Sequence, residues 1–125
     1  MESSATRPAI TDVLLADFSD PVRTSTAEIL RLEGLTVTEA DDGEIVLELL
    51  REHKFRLVLL ELDLPKRNGI EILEAISDPP PVVIISSYRM KPRDYERFMP
   101  DKVMAHFTKP VKPRELLDTV LALLR

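Results

Sequence analysis

One stretch constrains this chain more than any other: Leu57-Val58-Leu59-Leu60-Glu61-Leu62-Asp63-Leu64-Pro65-Lys66-Arg67-Asn68-Gly69. Its apolar run has no alternation, which fits a strand buried on both faces or a short piece of buried helix. Pro65 and Gly69 bracket a turn just after it, and Ile70-Glu71-Ile72-Leu73-Glu74-Ala75-Ile76 resumes at helical spacing. The run between punctuators is about five residues, and that length selects a strand. Such a strand delivers two acids, Glu61 and Asp63, to its C-terminal end. Carboxylates are rarely buried unless paired or bound to a cation, so the end of this strand demands a partner.

The remaining segments repeat the pattern. Residues 1–9 are polar and aperiodic and are read as a disordered tail, leaving 10–125 as the folded unit. Val13-Leu14-Leu15-Ala16 is a second apolar run, ending at Asp17. Asp20 is read as the cap of a helix with Pro21 at its first position, and Gly34 as its stop. Leu35-Thr36-Val37-Thr38-Glu39-Ala40 alternates as a strand does, and Asp41-Asp42-Gly43 turns into a helix carrying Ile45, Val46, Leu49 and Leu50. After the organising strand and its helix come the connector Asp78-Pro79-Pro80-Pro81 and the buried strand Val82-Val83-Ile84-Ile85, closed by Ser86-Ser87. Pro92 and Pro100 fence a short helix holding Tyr95, Phe98 and Met99. Val103-Met104-Ala105-His106-Phe107 reads as the last strand, and Pro113 opens a final helix with Leu116, Leu117, Val120, Leu121 and Leu124 on its inner face.

Strand and helix alternate five times, which predicts a doubly wound parallel α/β sheet, flavodoxin-like with strand order 2-1-3-4-5 if strand one lies centrally. Sheets of this kind gather ligands at their strand C-termini. Asp17, Glu61, Asp63, Ser86 and Lys109 are placed there. Two like charges in one pocket are costly without a cation between them, a part that either a divalent metal or Lys109 can play.

Composition removes whole classes of function. A net charge of −5 disfavours general binding to a phosphate backbone, and the basic cluster Arg89-Met90-Lys91-Pro92-Arg93 reads as a solvated loop. Without cysteine there is no disulfide frame, thiolate metal site or cysteine nucleophile. No apolar run approaches the ~20 residues of a membrane span, and the N-terminus lacks the apolar core of a signal peptide, so a cytoplasmic location is expected. The three glycines, Gly34, Gly43 and Gly69, are taken up by caps and turns, which leaves no phosphate-binding loop. His53 and His106 are too far apart and too differently placed for a zinc pair or a triad base.

Together these residues carry a resemblance. From about Asp12 to Arg125 the chain resembles the receiver domain of two-component response regulators. The likeness rests on Asp17, Ala40-Asp41-Asp42-Gly43, Leu59-Leu60-Glu61-Leu62-Asp63-Leu64-Pro65, Asn68-Gly69, Ser86 and Thr108-Lys109-Pro110. The resemblance implies that an aspartate ending strand three accepts a phosphoryl group from a histidine kinase, with magnesium held by two acids after strand one and a backbone carbonyl. It further implies that Ser86 and Lys109 contact the phosphate, that His106 occupies the position of a mobile aromatic residue, and that the bond before Pro110 is cis.

Two positions depart from the family pattern. The acceptor position holds Glu61, and the second metal-binding acid is replaced by Phe18. Phenylalanine supplies no oxygen, whereas magnesium needs near-ideal octahedral oxygen coordination. Glutamate carries its carboxylate one methylene further, and a 1 Å misplacement can cost ~100-fold in rate. The expectation is therefore an atypical receiver with weak or absent magnesium binding and no other cofactor. It would not act as an enzyme, and would work through a protein partner or a second copy on the face of helix four, strand five and helix five. Neither nucleic acid nor membrane is an expected direct partner. Two readings of Glu61 stay open: a built-in partial mimic of phosphoaspartate, or a plain ion pair with Lys109. Phe18 is expected as a lid, His106 as a partly exposed strand residue and Asp63 as a solvated loop residue. The alternatives are a receiver phosphorylated on Asp63 or Glu61, and a small-ligand or enzyme domain using the strand-end pocket. Because the chain ends at helix five, no effector domain is expected within it.

Overall fold

A computed structural model of the chain describes residues 10–87 and 91–125. Strands β1 (Ile10–Ala16), β2 (Val37–Ala40), β3 (Lys54–Glu61), β4 (Val82–Ser86) and β5 (Val103–Thr108) alternate with helices. The helices are α1 (Asp20–Leu32), α2 (Gly43–Glu52), α3 (Gly69–Ala75), α4 (Pro92–Tyr95, extended by a 3-10 turn over Glu96–Phe98) and α5 (Pro113–Leu124). The strands form one parallel sheet in the order β2-β1-β3-β4-β5. This is the predicted order. The residues of the proposed tail, and Arg89 and Met90 of the basic cluster, lie outside the described part.

The sheet separates two apolar layers. On one side Val13, Leu15, Leu57, Leu59, Val83 and Ile85 pack under α1 and α5. On the other, Leu14, Val58, Leu60 and Ile84 pack under α2, α3 and Tyr95 of α4. Consecutive residues of β3 therefore enter opposite cores, which is why its sequence is continuously apolar rather than alternating. Truncating one such leucine to alanine removes both transfer free energy and packing, at a cost of about 2–5 kcal/mol.

Element ends differ from expectation in instructive ways. The cap of α1 is Ser19 rather than Asp20: its hydroxyl accepts from the Val22 amide at 3.4 Å, and Asp20 is already helical. Strand β2 begins at Val37, because the Thr36 amide is taken by the Asp12 carboxylate at 2.9 Å. Gly34 adopts φ +86°, a conformation other residues resist, and it follows the helix at the predicted place. Met99 closes the 3-10 turn instead of continuing a helix.

Glycine matters most at the strand ends. A side chain on Gly43 would collide with the Arg67 carbonyl, and one on Gly69 would strike Leu62. The Gly43 amide also donates to the Pro65 carbonyl at 3.0 Å. The loop after β3 is thus pressed against the start of α2, which fixes where Glu61 and Asp63 stand. Asn68 completes this loop with a reciprocal cap, its side chain accepting from the Glu71 amide at 2.9 Å while Glu71 accepts from the Asn68 amide at 3.1 Å.

Candidate functional site at the strand ends

Parallel register decides which side chains meet. Ala16 pairs with Leu60 and Ser86 with Thr108. The next residues along β1 and β3 are Asp17 and Glu61, and the residue after β5 is Lys109. Asp17 and Glu61 are 3% and 1% exposed. Lys109 reaches between them. Its Nζ contacts Glu61 Oε1 closely and lies 3.2 Å from Asp17 Oδ2. Backbone geometry secures both ends: the Lys109 amide donates to the Ser86 carbonyl at 2.8 Å, and Asp17 Oδ1 accepts from the Ser19 amide at 2.9 Å. The Lys109–Pro110 bond is cis.

The electrostatics follow from burial and pairing. Burial pushes the Glu61 carboxyl above its ordinary value, and the neighbouring Asp17 charge adds to that push; Lys109 pulls against both. Burial likewise opposes charge on Lys109, but Glu61 and Asp17 together outweigh it and hold the ammonium above its ordinary value. One cation is thus shared by two acids.

The other predicted residues take varied places. Ser86 is buried at the end of β4. Phe18 is half exposed, and its ring centre lies 5.4 Å from Lys109 Nζ, within cation–π range of the ammonium. His106 is exposed on β5, and its Nδ1 is 3.2 Å from the hydroxyl of Tyr95, a residue only 2% exposed. Asp63 stands in the loop, as expected, but is not fully solvated. It is half-buried, its carboxylate accepts from the Ser87 hydroxyl at 2.6 Å, and its amide faces Glu61 Oε2 at 3.5 Å. Strand β3 ends at Glu61, so the period-two placement of Asp63 does not apply.

Three contributors were not singled out from sequence. Ser87 orients Asp63, and Tyr95 holds His106. Arg23 donates to the Asp17 carbonyl at 2.9 Å and so supports the loop that carries the first acid. A polar pair at a strand end signals Ser87; nothing local signals the other two.

Magnesium, the ion the resemblance implies, does not fit this donor set. Both carboxylates face the Lys109 ammonium, and the residue after Asp17 offers a phenyl ring where an oxygen is needed. Among the described residues, no group of three or more acids or histidines is placed to hold a metal ion.

Comparison with known proteins agrees with the fold. The sequence pattern of the response regulator receiver domain matches residues 13–121. The transcriptional regulatory protein PdtaR of Mycobacterium tuberculosis is 32% identical over 112 residues, covering 86% of this chain and 54% of that protein. CpxR of Escherichia coli K12, also a transcriptional regulatory protein, is 32% identical over 117 residues, covering 90% of this chain and 49% of its own length. The chain spans about half the length of these relatives. A CheY-like receiver domain protein from Methanospirillum hungatei superposes with a TM-score of 0.83 at 25% identity, covering 93% of this chain and 94% of that one.

Proposed function

The chain belongs to the response-regulator receiver family, and from that premise we propose that it is an atypical receiver that acts by protein contact without taking up phosphate. One observation carries this reading: the Lys109 ammonium is bound by Glu61 and Asp17 together. In the family this lysine meets the phosphate of the modified aspartate. Here Glu61, one methylene longer, reaches the same lysine unaided. When ionised the carboxylate contributes a charge of −1, against about −2 for a phosphoryl group, so the mimicry is partial. Lys109 has one arrangement of partners, and no kinase is required to set it.

Partner binding on the face of α4, β5 and α5 completes the proposal. Met104 is exposed on β5, as is His106 beside it. A protein partner or a second copy of this chain would read that face. Among the described residues no helix is long and apolar enough to cross a membrane.

Backbone amide NMR tests the proposal. Magnesium alone, and magnesium with acetyl phosphate, are expected to leave the amides of Asp17, Glu61 and Lys109 unshifted. Saturable shifts at those amides would show a working metal and phosphate site. The second reading, phosphorylation of Asp63, draws on its half-exposed carboxylate, yet that carboxylate is engaged by Ser87.

A further inference from the structure

Asn68 is the only asparagine in the chain, which holds no glutamine, and a glycine follows it. Asparagine before glycine is especially prone to spontaneous deamidation, because glycine has no side chain to hinder attack by its own amide nitrogen. The Gly69 nitrogen gives up its proton and bonds to Asn68 Cγ. The bond from Cγ to the side-chain nitrogen breaks, and ammonia leaves. Water then opens the resulting succinimide at either carbonyl, giving aspartate or isoaspartate. The reaction needs no oxidant, reductant or enzyme.

Water reaches this pair freely, since Asn68 is exposed. Conformation is what withholds the reaction. Ring closure needs the Gly69 nitrogen to swing over Asn68 Cβ, and at an Asn68 ψ of 170° it is turned well away. The Gly69 amide donates to the Leu62 carbonyl at 2.9 Å, so the attacking nitrogen is held in the turn after β3. Asn68 Oδ1 accepts from the Glu71 amide at 2.9 Å, which holds the group under attack in the first turn of α3. The chain's other pair of this chemical kind, Asp42-Gly43, is restrained in the same way. Asp42 Oδ1 accepts from the Ile45 amide at 2.9 Å, and the Gly43 amide donates to the Pro65 carbonyl. One loop therefore holds both glycine amides. Glycine is needed at 69 despite the lability it brings, because a side chain there would strike Leu62.

We propose that Asn68 is a modification site gated by the loop after β3: it stays an amide while the loop is closed and deamidates when the loop opens. Isoaspartate would add a methylene to the backbone of the loop that fixes Glu61 and Asp63. Aspartate would keep a capping oxygen but place a negative charge beside Glu71. The amide is not restored afterwards, so the modification records opening of the loop. This inference stands apart from the question of phosphorylation.

The test follows the intact mass of the full chain at mildly alkaline pH, in native buffer and in concentrated urea. With no other side-chain amide present, the change from amide to acid reports Asn68 alone. Chemistry that waits for opening follows the population of the open form, so the native rate is expected to be at least about tenfold below that in urea. Glu71→Ala removes one half of the reciprocal cap and is expected to raise the native rate at least about threefold, with the rate in urea unchanged. Leu117→Ala, in the core under α1 and α5, lowers global stability away from the loop and is expected to leave the native rate unchanged. The isoaspartyl form, once separated, is expected to unfold at lower urea than the natural chain. A native rate equal to that in urea, indifference to Glu71→Ala, or equal acceleration by Leu117→Ala would each overturn the proposal. An isoaspartyl form as stable as the natural chain would overturn it too.

Discussion

At the scale of single residues, the molecule turns on Lys109. Two buried carboxylates without a cation are unfavourable, and removing one partner of a buried ion pair costs about 3–5 kcal/mol. Lys109→Met is therefore expected to destabilise the fold by roughly that amount at neutral pH, measured by urea unfolding. Adding Glu61→Gln to it should recover a large part, since only Asp17 then remains charged. Independent, additive losses in the double variant would show that the three side chains do not act as a unit. Glu61 also makes a pH prediction. Its folded value is raised above the ordinary 4.5, so the folded state holds this proton more tightly than the unfolded chain does. The stability linked to it is full below 4.5 and is lost as pH rises through the raised value. Glu61→Gln should therefore gain stability relative to the natural protein as pH rises from about 4.5 toward neutrality. A stability difference that stays flat over this range would contradict the shift.

At the scale of elements, the loop after β3 positions the site, and its chemistry is local enough to test. Asn68→Ala removes a reciprocal cap and should cost about 1 kcal/mol, read from thermal or urea unfolding. Gly43→Ala forces a methyl against the Arg67 carbonyl and should cost about 1–3 kcal/mol. Equal stability in that variant would mean that the loop moves freely. The elements themselves were legible in the sequence because each core strand is apolar on both faces and each helix begins at a polar cap or proline. Alternation pointed to a parallel doubly wound sheet, and the order within it followed once strand one was placed centrally. What sequence did not reveal depends on contacts across the fold. Asp63 looks solvated until Ser87, from β4's end, is set beside it. The Tyr95–His106 pair joins α4 to β5, and no periodicity marks it. Ser19 and Asp20 are both good caps by composition, and only backbone geometry separates them.

At the scale of the whole molecule, a receiver scaffold is retained while its two strand-end acids share one lysine. Both apolar layers form, the sheet keeps the doubly wound order, and Ser86 and Lys109 stand at the strand ends. Asp17, Glu61 and Lys109 could be read as neighbours from the sequence, because the register of a parallel sheet brings successive strand ends together. If this scaffold works without phosphate, the intact mass of the natural protein after incubation with acetyl phosphate and magnesium will show it, with the Phe18→Asp/Glu61→Asp variant alongside. No adduct is expected on the natural protein, and a magnesium-dependent gain of one phosphoryl group is expected on the variant. A magnesium-dependent adduct on the natural protein, mapped to Asp63 or Glu61, would show a working phosphoacceptor instead.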